Sequence, residues 1–385
     1  MGGKSIEALV KPDLLKWARE SIGMNIDQVS QKIKKTDPKT IQNWESGIVR
    51  PTISQAEKLA KIYKRPLAAF YLPEPPKEAP LPRDFRTLPL DKIIPFSRDT
   101  RLAIRKARRV QSLMKELNEE MGIKLEAKIH KVGISEDPEK LASRIRKNLG
   151  MGIEDQFKWK NESEAFRRWR KKVEEENILV LQISMPLNET RGFSLSDKEV
   201  PIIVINAKDA VNARIFSLFH EYAHLLIQIS GICDMRELFQ PNRKDEEVFC
   251  NRFAGALLVP KDKLLDQPMV QRKQFDDESL MVLAFRFKVS KEVILRRLVI
   301  LERVSPKIYQ QKRKEWEAEY QRLGKRTGGR RNRPKECIRE YGMPFVSLVI
   351  NAYREGKITY GDITDYLSIK AKYLPKVENL AKKFG

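Results

Sequence analysis

The chain has 385 residues, with 75 lysines and arginines against 52 aspartates and glutamates, and a formal net charge of +23. That length accommodates two or three domains with a sizeable core, and the charge favours a polyanionic partner such as nucleic acid, a basic and well-solvated surface being the alternative. Cys233, Cys250 and Cys337 are too scattered for a disulfide framework, no leader-like N-terminus is evident, and no apolar run reaches the roughly 18 residues of a membrane span; the expectation is a cytoplasmic protein with no membrane partner.

The first predicted elements are short helices. Ile26–Ile33 is amphipathic, and after a turn Pro38–Glu45 forms a second helix, with Asp37 as its N-cap and Pro38 at the first helical position. Gly47 ends that helix, Pro51 follows, and Ser54–Tyr63 packs a further helix behind it through Ala56, Leu59, Ala60 and Ile62. Ile41 and Trp44 are predicted to turn inward, leaving Lys39, Thr40, Gln42 and Asn43 outward, with Lys34, Lys35 and Arg50 flanking. Pro73–Pro82 carries five prolines in ten residues and is predicted to be a stiff, extended linker. The first domain is therefore placed at 1–75 and the linker at 76–95.

A long charged helix is expected from about Phe96 to Gly122, followed by helices near Pro138–Leu149 and Glu162–Glu176. Arg144, Arg146 and Lys147, with Arg167 to Lys172, read as a basic middle patch. Ile178–Ile183 and Pro201–Asn206 are short and rich in β-branched residues, which predicts strands; Arg191–Ser194 is a candidate third, edge strand.

The most informative feature follows at His220-Glu221-Tyr222-Ala223-His224. Residues four apart stack on one face of a helix, so both imidazoles can address one metal ion, and Glu221 is placed to take a proton from an attacking water. Only three histidines occur in the chain, and two stand in this pattern; the third, His130, is read as a surface or packing residue. From Ala213 to Ile229 there is no Pro or Gly, and Ile215, Phe216, Leu218, Phe219, Tyr222, Leu225 and Leu226 predict a helix buried on most sides. A third protein ligand must come from elsewhere. A second helix is expected from Asp245 to Val259, opening with Asp245, Glu246 and Glu247. Any of these carboxylates could face the first helix, with Cys250 and Cys233 as the sulfur alternatives. Beyond it, 311–335 is densely basic and rich in Gly near 324–329, predicting a loop, and the remainder to 385 is predicted to be helical.

Glu247-Val248-Phe249-Cys250-Asn251-Arg252-Phe253-Ala254, followed by Leu257-Leu258-Val259-Pro260, resembles the second helix of the ImmA/IrrE-type metallopeptidases (domain of unknown function 955), whose first helix ends in HExxH. Cys250 stands where that pattern usually has Ala. Residues 14–72 similarly resemble a Cro/repressor-type (Xre) helix-turn-helix domain, a common N-terminal fusion in that family. The resemblance implies an α+β protein: an all-α helix-turn-helix domain, a mainly helical zincin-like peptidase domain over 96–310 with a small β-sheet, and a helical C-terminal region over 311–385. It implies His220, His224 and Glu247 as metal ligands and Glu221 as the catalytic base, with Zn2+ the expected ion and Mn2+ or Fe2+ as alternatives. It implies a substrate that is itself a helix-turn-helix repressor, in stress-response or mobile-element gene regulation. In the first domain, Lys39, Thr40, Gln42 and Asn43 would meet base edges of double-stranded DNA, and Lys34 and Lys35 phosphates. Two other readings stay open: an antitoxin-like DNA-binding regulator whose peptidase-like domain senses metal or a partner without turnover, and an interaction adaptor.

Overall fold

The computed structural model describes residues 6–33, 36–78, 96–228, 243–322 and 332–384. The chain divides by its internal contacts into two units: residues 1–106 with 188–190, and residues 107–187 with 191–385. The fold is α+β. Lys34, Lys35, Cys233, most of the predicted linker (79–95) and the basic stretch 323–331 lie outside the described residues.

The first unit holds α1 (Pro12–Ser21), α2 (Ile26–Lys32), α3 (Pro38–Glu45), α4 (Ile53–Tyr63), a 3-10 turn at Leu67–Tyr71 and the start of α5 (Arg98–Glu120). Local chemistry sets the helix starts. Asn25 and Gln28 form a reciprocal capping box on α2, Thr52 and Gln55 one on α4, and the Asp37 carboxylate accepts the Lys39 amide at 2.8 Å to begin α3 behind Pro38. Gly47, at φ +76°, takes the left-handed turn that lets the chain leave α3. Ile41 and Trp44 on α3 join Leu15, Ala18, Val29, Ala56, Leu59, Tyr63 and Phe70 in one core. The opening of α5 belongs with this unit because Arg98 donates to the Ile62 carbonyl, and Arg105 to those of Tyr63 and Lys64, satisfying the C-terminal carbonyls of α4. Glu189 caps the first turn of α5, accepting the Ser97 amide at 3.1 Å and the Thr100 hydroxyl.

The second unit contains the rest of α5, then α6 (Pro138–Asn148), α7 (Ile153–Lys158), α8 (Glu162–Glu174), β1 (Leu179–Ile183), β2 (Gly192–Leu195), β3 (Ile202–Asn206), α9 (Val211–Gln228) and α10 (Arg243–Leu258). It continues through α11 (Lys261–Leu265), α12 (Pro268–Gln271), α13 (Asp277–Phe287), α14 (Lys291–Ile300) and α15 (Pro306–Arg322). It ends with α16 (Arg333–Tyr341), α17 (Met343–Arg354), α18 (Tyr360–Tyr366) and α19 (Leu374–Phe384). The sheet order is β1-β3-β2, with β1 and β3 parallel and β2 antiparallel on β3. Both parallel strands are buried along their whole length, which explains their unbroken apolar sequence. Val180, Ile203 and Ile205 share a core with Trp169 of α8 and Leu218, Phe219 and Tyr222 of α9.

Two members of the predicted basic patch are core residues. Arg146 is buried and donates to the Gln156 side chain and the Leu257 carbonyl, both at 2.8 Å; Arg170 is buried and bonds Glu174, the Arg339 carbonyl and the Val180 carbonyl. Charge in the sequence marked them as surface, yet each donates to backbone carbonyls of other elements, and a buried guanidinium is tolerated where such acceptors meet it. Arg144, Lys147, Arg167 and Arg168 are exposed as expected. Among the described residues no helix is long and apolar enough to cross a membrane.

Candidate metal centre and helix-turn-helix surface

The helix α9 packs against α8, α10, β2 and β3, so nearly every face from Ile215 to Leu226 is buried. Leu218, Phe219, Tyr222, Leu225 and Leu226 supply the apolar contacts; Tyr222 points into that core, stacked on Phe253 of α10 at 6.3 Å. What remains is a polar stripe. His220 and His224, one turn apart, present their Nε2 atoms 3.1 Å from each other. From α10, Glu247 brings a carboxylate oxygen within 3.4 Å of His220 Nε2 and the other within 3.1 Å of His224 Nε2.

These three side chains are the only converging set of possible metal-binding groups among the described residues. Tetrahedral coordination with bonds of about 2.0–2.2 Å separates donor atoms by about 3.3–3.6 Å, within a few tenths of an ångström of the 3.1–3.4 Å spacings found here. Two fully buried imidazole nitrogens and a carboxylate converging on one point, with both histidine Nδ1 atoms directed away from it, are a donor set that fits a divalent cation. Burial by itself would raise the Glu247 carboxyl; hydrogen bonds and charge from His220 and His224 outweigh that and bring it down to about 2. Of the other candidates for the third position, those within the described residues do not join. Asp245 is exposed, Glu246 lies half-buried outside the cluster, and Cys250 is buried in the core one turn beyond Glu247.

The position of Glu247 depends on how α10 is held. Its last turn ends in buried polar bonds: Arg146 donates to the Leu257 carbonyl, Gln156 to that of Leu258, and Arg297 to that of Val259. Gly255 makes room for the last of these, since a Cβ there would lie 3.0 Å from Arg297 Cδ. Cationic and amide donors at a helix C-terminus satisfy its free carbonyls and oppose its dipole.

Glu221, 2% exposed, sits on the same helix beside the edge strand β2. A Cβ on Gly192 would meet Glu221 Oε1 at 3.3 Å and the Val204 carbonyl oxygen at 2.8 Å, so glycine allows β2 to approach this carboxylate. The motif reading did not single out Gly192; an isolated glycine opening a candidate edge strand was its sole sequence signal.

In the first unit, α3 exposes Lys39 and Gln42, with Thr40 and Asn43 half-buried beside them, while Ile41 and Trp44 face inward at 1% and 2% exposure. The sequence reading missed what anchors this helix. Arg19 of α1 forms a two-pronged pair with Glu45, Nε to Oε1 and Nη2 to Oε2 both at 2.8 Å, and its third nitrogen donates to the Met24 carbonyl. The partners lie 26 residues apart, beyond any local spacing rule.

Two family models match the chain. Residues 173–299 match the IrrE N-terminal-like domain, Peptidase_M78, and residues 15–70 match the helix-turn-helix model HTH_3. The first span contains β1 to β3, α9 and α10 with every residue of the cluster; the second contains α2 and α3. Comparison with curated proteins finds no match.

Proposed function

Since the chain joins a helix-turn-helix domain to an IrrE-like peptidase domain, we propose that it is a metal-dependent endopeptidase that cleaves a helix-turn-helix repressor and engages DNA through its own first domain. The convergence of His220, His224 and Glu247 beside Glu221 carries this reading. His220 Nε2, His224 Nε2 and one Glu247 oxygen would hold the ion, Zn2+ being the first expectation for two imidazoles and a carboxylate, with Mn2+ and Fe2+ as alternatives. When bound, such an ion lowers the pKa of water and polarises a carbonyl. Glu221 then acts as the base: its carboxylate takes the proton of the attacking water and passes it to the departing amine. The edge of β2 lies against Glu221, so an extended polypeptide added to that edge would bring its backbone to the carboxylate.

Lys39, Thr40, Gln42 and Asn43 on α3 would enter the major groove, and Lys34 and Lys35 would meet phosphates, which position the domain without reading sequence. Cleavage of a repressor would couple the two domains to one regulatory event in stress-response or mobile-element genes. The test compares new protein N-termini in native-host cells expressing wild type or Glu221→Gln. A new terminus within a helix-turn-helix repressor, present only with wild type, is expected; identical termini under stress and at rest would leave a DNA-binding regulator without turnover.

A further inference from the structure

At the C-terminal ends of β1 and β3, where α9 begins, three arginines gather near one carboxylate. Buried Asp209 accepts Arg191 Nη1 at 2.6 Å, and its backbone carbonyl accepts Arg214 Nε at 2.8 Å. Arg214 Nη1 donates to Gln182 Oε1 at 3.1 Å, and the same amide donates to the Arg339 carbonyl at 3.2 Å, so Gln182 links the start of α9 to α16. Three guanidinium groups thus stand against one acid, and the N-terminal dipole of α9 adds to the same sign. Among the described residues the Arg339 guanidinium has no ion-pair partner, and Arg214 Nη2 makes no hydrogen bond. Burial, and then the neighbouring charge of Arg339, hold the Arg214 guanidinium below its ordinary value despite Asp209.

This excess charge leads to the candidate reaction centre. Arg191 directly precedes Gly192, where a Cβ would lie 3.3 Å from Glu221 Oε1. Arg214 and Glu221 are seven residues apart on α9, which places them on one face about 10 Å apart, the reach of about three residues of extended peptide. A partner that uses this group is therefore one that also reaches Glu221, which favours a polypeptide over a nucleic-acid backbone.

We propose that Arg191, Arg214 and Arg339 form a subsite for acidic side chains, making the favoured substrate a polypeptide with an acidic segment close to the bond presented to Glu221. The proposal rests on the peptidase reading of the site. Its contribution is to selectivity: a carboxylate entering the group finds unsatisfied guanidinium donors, whereas a neutral amide does not.

The test is fluorescence anisotropy with the full-length, zinc-loaded Glu221→Gln protein, which retains peptide without turnover. The probes are a labelled peptide with a central Glu-Glu-Asp segment and its Gln-Gln-Asn counterpart. The acidic peptide is expected to bind at least about tenfold more tightly, and the difference to shrink as salt is raised. Arg339→Gln, at an exposed position, and Arg214→Gln should each reduce that preference while leaving the neutral peptide's affinity unchanged; Arg214→Lys, which keeps the charge, guards against a folding failure. Equal binding of the two peptides, or a preference that survives Arg214→Gln with Arg339→Gln, overturns the proposal. So does a result in which these variants weaken only the binding of a DNA duplex. Wild-type cleavage with no acidic preference would reject this subsite alone, whereas zinc binding without cleavage would reject the peptidase reading.

Discussion

Gly192 and Glu221 are in contact across the edge of the sheet: a side chain on residue 192 would begin 3.3 Å from Glu221 Oε1 and 2.8 Å from the Val204 carbonyl oxygen. The second distance is shorter than a real Cβ tolerates and the obstacle is backbone, so β2 would have to move. Gly192→Ala should therefore leave the metal content unchanged and lower peptide hydrolysis about a hundredfold, the scale of loss that follows a displacement near 1 Å at a reaction centre. Hydrolysis at the wild-type rate with an unshifted melting temperature would show that the contact has no consequence.

Glu247 is the carboxylate of α10 that meets both imidazoles, at 3.4 and 3.1 Å. Glu247→Ala should abolish stoichiometric metal binding, measured by elemental analysis of purified protein, while Glu246→Ala and Cys250→Ala should retain it. Loss of metal in Cys250→Ala alone would transfer the third position to sulfur.

The pair between Arg19 and Glu45 ties α1 to the helix predicted to read DNA. Both side chains are largely buried, so Glu45→Ala leaves the guanidinium only its 3.3 Å contact with the exposed Glu20, at a cost of about 3 kcal/mol to the first domain. Calorimetry should show the loss, and duplex binding should weaken although Glu45 offers no atom to a base. Lys39→Ala should weaken duplex binding without any change in melting.

Asp277 joins three helices: it accepts Lys312 Nζ at 2.5 Å, the Trp316 indole at 2.8 Å and Lys291 Nζ at 3.0 Å. The Lys312 hydrogen bond, followed by those from Trp316 and Lys291, holds its carboxyl below the ordinary value of 3.8. A carboxyl depressed by folding stabilises the native state above its unfolded pKa, and that contribution is lost as pH falls through the folded value. Wild type should therefore lose stability on acidification below about pH 4, and Asp277→Asn should start lower and show a shallower decline. Parallel pH profiles for the two proteins would rule this out.

Much of the candidate site was legible in the chain because its chemistry is local. The spacing of His220, Glu221 and His224 on a helix without Pro or Gly places both imidazoles on one face, and the capping signals at Asp37 and Pro38 mark the start of α3. The apolar runs that became β1 and β3 were equally readable, since a strand covered on both faces has to be apolar throughout.

What only the tertiary structure decided concerns groups far apart in sequence. Composition and helical periodicity left Asp245, Glu246, Glu247 and Cys250 open, and only the family resemblance pointed to Glu247; the crossing of α9 and α10 brings Glu247 alone of these four to the histidines, and no periodicity encodes the rotation of one helix about another. Arg146 and Arg170 read as surface charge until backbone carbonyls from distant segments were seen to need donors. The contacts of Glu45 with Arg19, and of Gly192 with Glu221, likewise join separate elements whose approach is set by packing of the whole core. Sequence determined which chemistry each element carries, through propensity and spacing along one chain; packing determined which of those groups meet.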